Sequence, residues 1–237
     1  MNQYPPPPPR AFNPATYGAR PAPALVQQLL VGAFSWMFAG LLLTAGVSYL
    51  VSTSTAITQG VMSLWLPLLI GLFALAMVIQ GAINRLSPTV SLLLFFAYAA
   101  MMGLTIGVIV QLYTTESVAV AFLSSSAMFG AAAAYGAVTK RDISGIGGIM
   151  TMALIGLLVA IVVNMFLHST QVGWIISIVG VLVFVVLTAW DVQRITSGQY
   201  AAMVRSAERA SVLAALHLYL DFVNLFLFLL QLFGSRR

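Results

Sequence analysis

From Leu25 onward the chain is a succession of long apolar runs, near residues 25–51, 64–83, 89–112, 117–138, 143–167, 172–190 and 211–233. Each is about 19 residues or longer, enough at a rise of ~1.5 Å per residue to cross ~30 Å of hydrocarbon. Barrel strands would be about half that length and would alternate polar with apolar side chains, which these runs do not. The pattern predicts an all-α integral membrane domain of seven transmembrane helices over 25–237. Only 6% of the residues are charged, against about 25% in soluble domains, so a water-facing surface cannot be built. The membrane is therefore the first partner of the chain, and nucleic acid is not an expected one.

Eight of the ten prolines lie in the first 24 residues. Proline removes a backbone donor and clashes with the preceding helical turn, so residues 1–24 read as a disordered, proline-rich cytoplasmic tail. Basic residues recur in every second connection: Arg10 and Arg20 before the first run, Arg85 after the second, Lys140 and Arg141 after the fourth. Arg194, Arg205 and Arg209 follow the sixth. This places the N-terminus in the cytoplasm. Arg236 and Arg237 run against the pattern, because a full seventh crossing puts them outside. The length of the last run favours a full span over one that enters and returns. Small residues a turn apart, Gly103 with Gly107 and Gly130 with Ala134, read as places where helix backbones approach closely.

Asp221 is the most informative residue. It is the eleventh of 23 residues in the last run, where a carboxylate costs about 2.5–3.5 kcal/mol even on a lenient insertion scale. It must face the interior of a bundle. His217, Asp221, Asn224 and Gln231 are spaced 4, 3 and 7 apart and form one polar seam on this helix. Asp191 ends the sixth run, beside Arg194. One reading makes these two an interfacial ion pair of little energetic worth. In the other, the sixth helix runs on to Ile195 and the depths of Asp191 and Asp221 differ by only ~5 Å. The two carboxylates then meet and share a proton, and carboxylate oxygens are also the ligands calcium selects. Arg85 is read either as an interfacial anchor or as a cation that reaches inward to pair with Asp191. The chain has no cysteine, no phosphate-cradling loop and no catalytic triad, so neither an enzyme nor a resident cofactor is expected. His217 with Asp221 falls short of a transition-metal site.

Two segments carry a resemblance. Ala189-Trp190-Asp191-Val192-Gln193-Arg194-Ile195 and Leu216-His217-Leu218-Tyr219-Leu220-Asp221-Phe222-Val223-Asn224-Leu225-Phe226 are similar to the C-terminal signature of the bacterial branch of the transmembrane Bax inhibitor motif family. The resemblance implies six helices packed around a central C-terminal helix, in the bacterial inner membrane, and a pH-sensitive calcium leak. It matches the family's paired aspartates to Asp191 and Asp221, as pH sensors and candidate Ca2+ contacts, and its second-helix arginine to Arg85. Val192 departs from the family, which often carries threonine there. Protons and Ca2+ are then the partners, with Ca2+ as the permeating ion. Two alternatives stand beside this. One is a non-conducting regulator of other membrane proteins, such as a quality-control protease or cell-death and stress factors. The other is a proton-coupled transporter, which the lack of paired interrupted half-helices disfavours.

Overall fold

A computed structural model describes residues 22–204 and 206–236. The proline-rich segment 1–21, Arg205 and Arg237 lie outside the described residues. Among the described residues there are nine helices: α1 (Pro23–Thr53), α2 (Thr55–Ser63), α3 (Trp65–Ala82), α4 (Pro88–Val110), α5 (Thr115–Val138), α6 (Ser144–Leu167), α7 (Thr170–Thr196), α8 (Gln199–Met203) and α9 (Ala207–Phe233). All but α2 and α8 are long and apolar enough to cross a membrane, making seven spans. The protein is an integral membrane protein.

Local sequence explains the helix starts. Pro23, expected to lie in the non-helical tail, instead opens α1, at a position where its missing N–H leaves no bond unmade. Ser87, Thr114, Ser169 and Ser206 precede α4, α5, α7 and α9, and each hydroxyl oxygen accepts a backbone N–H from the first turn. The connections between spans are consequently short. Between the first two apolar runs, Thr55–Ser63 forms α2, which packs on α1 and α4.

Burial sorts the spans. In α9, 78% of the most apolar window is buried, against 56% in α7 and 11% in both α3 and α6. α9 is the central helix, walled by α1, α7, α5 and α4. α3 joins the ring by packing on α4, and α6 by packing on α7. Lipid supplies no hydrophobic drive for helix association, so close packing and polar contacts hold the bundle. Gly103 and Gly107 serve this between α4 and α1: a Cβ on either would lie within 3 Å of an α1 backbone oxygen. Gly130 does not, because an added Cβ there would meet nothing within 4 Å. On α5 the close approach belongs to Gly136, which sits against the Ala189 carbonyl of α7.

α9 crosses the whole bundle without interruption. Its end is tied to the α4–α5 connection, where Thr114 N–H donates to the Ser235 carbonyl at 3.0 Å. Ser235 N–H in turn donates to Ser117 Oγ at 2.9 Å. This tie marks the far side of the bundle, and α1 begins on the opposite, near side.

Candidate functional site

α7 extends to Thr196, past the apolar run that ends at 190 and in keeping with the reading that carries it on to Ile195, and it therefore holds Asp191 and Arg194 within the helix, one turn apart. Gly198 follows with φ 77°, a left-handed conformation that glycine adopts without strain. That turn folds α8 back against both α7 and α9. Tyr200 of α8 is thereby buried, with 1% of its surface exposed.

Asp191, Arg194 and Tyr200 form a closed triangle. Arg194 donates to Asp191 Oδ1 at 2.9 Å and to the Tyr200 hydroxyl at 3.1 Å. Tyr200 donates to the same Asp191 oxygen at 2.7 Å. Burial, reinforced by the neighbouring carboxylate, pushes the Tyr200 phenol well above its usual range, so it acts as a donor. The Arg194 guanidinium also stands over two rings, 4.7 Å from the Trp190 centroid and 4.3 Å from that of Tyr200. Of the two sequence readings, the ion pair between Asp191 and Arg194 is present, but it is buried rather than interfacial: Asp191 is 4% and Arg194 9% exposed.

α9 brings the remaining groups. His217 Nδ1 lies 3.5 Å from Asp191 Oδ2, with its ring edge-on to Tyr200. Asp221, one turn further, lines the same cleft as Asp191 and lies close enough for the two carboxyls to feel each other's charge; Thr188, also beside it, donates its hydroxyl to the Phe184 carbonyl at 2.8 Å. Its Oδ2 is buried without a hydrogen-bond partner among the described residues. The structure therefore brings Asp191 and Asp221 together. His217, Asp221 and Asn224 line one cleft between α3 and α6, while Gln231 lies exposed beyond it, so the seam reaches the cleft through three of its four members. Asn224 donates to the Leu220 carbonyl of its own helix at 2.8 Å.

Arg85 lies elsewhere. It is exposed in the turn after α3 and makes no ion pair among the described residues. The guanidinium on Asp191 is that of Arg194, three residues along the same helix. Sequence reasoning missed Tyr200 and Thr188 as members of the site. Tyr200 sits in a polar connection that carries no helix signal, and its role depends on the turn at Gly198. Among the described residues, no group of three or more histidine or acidic side chains is placed to hold a metal ion.

Six apolar spans around a seventh, buried central helix, with one carboxylate from that helix and one from α7 facing a common cleft, define an integral membrane protein with an ionisable core. The whole span domain matches one family model: residues 26–237 fit that of the inhibitor of apoptosis-promoting Bax1, and the chain belongs to this Bax inhibitor-1 family. It is 40% identical over 218 residues to a protein of Escherichia coli K12 named inner membrane protein YbhL, covering 90% of this chain and 93% of that one. An uncharacterized protein of Deinococcus radiodurans is 41% identical over 212 residues, covering 89% and 92%. A third, from Borreliella burgdorferi, is 35% identical over 215 residues, covering 89% and 93%.

Proposed function

We propose that the chain is a calcium leak channel of a bacterial inner membrane, with its N-terminus in the cytoplasm, opened by protonation of the Asp191–Asp221 pair. The observation that carries this reading is that Asp191 of α7 and Asp221 of α9 are both buried and face one cleft, with Asp221 Oδ2 lacking a hydrogen-bond partner among the described residues. Two carboxylates face one guanidinium, with His217 the remaining titratable group beside them, in a setting where an unbalanced charge is costly. A proton shared between the carboxyls, or a cation passing them, supplies the balance. The pair thus responds to protons and offers oxygens of the kind Ca2+ prefers. Ca2+ is the permeating ion, and the reading involves no catalytic step and no resident cofactor.

The sign follows from the partners. Ionised Asp191 holds Arg194, Tyr200 and, across the helix interface, His217. Of these attachments His217 is the one that joins α7 to α9; a proton shared by the carboxyl pair draws charge from Asp191, weakens that attachment and loosens the two helices, so flux rises as pH falls. The test is Ca2+ entry into proteoliposomes containing the purified chain. Flux that rises from about pH 8 to about pH 6, and loses that dependence in Asp191→Asn and Asp221→Asn, supports the reading. Absence of flux from pure protein at every pH overturns it and favours the non-conducting regulator of other membrane proteins.

A further inference from the structure

Two cavities flank α9. One, of about 500 Å3, is the cleft that exposes Asp191, His217 and Asp221, and Tyr98 of α4 also lines it. The other, of about 590 Å3, lies among α1, α4, α5 and α9 and extends from Thr44 and Phe222 past Ser48 to Gln111 and Thr115 at the far side. Asp221 and Phe222 are consecutive on α9, a step of ~100° around the helix, and so line different cavities.

The partition between them is thin. Tyr98 meets the Tyr219 ring edge-on, with centroids 6.0 Å apart. The Tyr219 hydroxyl lies 2.6 Å from Thr44 Oγ1, and Thr44 lines the second cavity. From one cavity to the other there are two aromatic rings and a hydroxyl contact. Thr44 gives its own hydroxyl hydrogen to the Ala99 carbonyl at 2.9 Å, which leaves Tyr219 as the donor to Thr44. Phe95 braces the Tyr219 ring from another side, centroids 5.6 Å apart. One neutral hydrogen bond therefore fixes the ring that separates the cavities, and it joins α9, α1 and α4 at a single point.

We propose that Tyr219 is the gate between the two cavities and Thr44 its latch. This rests on the conduction reading above and adds the place where the path is closed. Opening swings the Tyr219 ring away from Thr44 and joins the carboxylate cleft to the far-side cavity.

Two readouts test it. Thr44→Val removes the acceptor and Tyr219→Phe the donor, with little change of shape. Each is expected to raise Ca2+ flux about fivefold, the effect of losing one neutral hydrogen bond in the closed state. The double variant is expected to add nothing further. The chain has no cysteine, so a single Ser48→Cys reports on the far-side cavity through a membrane-impermeant thiol reagent applied from the near side. Labelling is expected to be slow with Tyr219 intact and about fivefold faster with Thr44→Val or Tyr219→Phe. Unchanged labelling overturns the gate, whether or not the protein conducts. Conducting wild type with unchanged flux in both variants overturns it too. A wild type that never conducts, with labelling still accelerated, overturns the conduction reading alone and leaves the gate standing.

Discussion

Arg194 is held by a carboxylate, a phenol and two aromatic faces, and its removal isolates Asp191. Arg194→Gln is expected to destabilise the folded chain in detergent by about 3–5 kcal/mol, the cost of stranding a buried charge. Asp191→Asn combined with Arg194→Gln should recover part of that loss, because neither charge is then left alone. Denaturant titration of wild type, the single variant and the double variant measures both effects, and equal stability of the single and double variants would remove the pair from the account. At this scale the sequence was half legible. Asp221 stood out because hydrocarbon makes a midplane carboxylate costly. The pairing of Arg194 with Asp191 was legible from their spacing, but its burial was not, because that depends on α8 folding back over the end of α7. Arg85, conspicuous at the end of a run, proved to be a surface residue.

The spans were legible as elements because their apolar length is set by the bilayer. Their packing faces were not, because a helix that is apolar all round shows no moment to say which side is inside. The glycines illustrate this. Gly147 of α6 lies against the Trp190 indole and Gly136 of α5 against the Ala189 backbone, whereas Gly130 faces open space. All three look alike in sequence. Gly136→Ala and Gly147→Ala are each expected to cost about 1–3 kcal/mol through overpacking. Gly130→Ala should be neutral or slightly stabilising, since alanine is the better helix former by about 1 kcal/mol. Thermal unfolding of the three purified variants tests the set. The short helices α2 and α8 escaped the sequence reading for a different reason: each is held by contacts with the longer helices rather than by a pattern of its own.

For the molecule as a whole, central placement of the last helix was readable from its single polar seam on an otherwise apolar surface. The tie between Ser235 and the α4–α5 connection was not, because it depends on where two distant ends meet. It implies that the two ends of the described chain lie on opposite faces. In intact cells, Ser235→Cys is therefore expected to react with an impermeant thiol reagent, and Lys140→Cys only after permeabilisation; the reverse pattern would invert the assigned orientation. The most direct measurement remains Ca2+ entry into proteoliposomes holding the purified chain, compared at about pH 8 and about pH 6 for wild type, Asp191→Asn and Asp221→Asn. Wild-type flux several-fold faster at the lower pH, with the dependence reduced to less than about twofold in each variant, is the predicted result. Variants that keep the wild-type pH profile would contradict a proton-operated carboxylate pair.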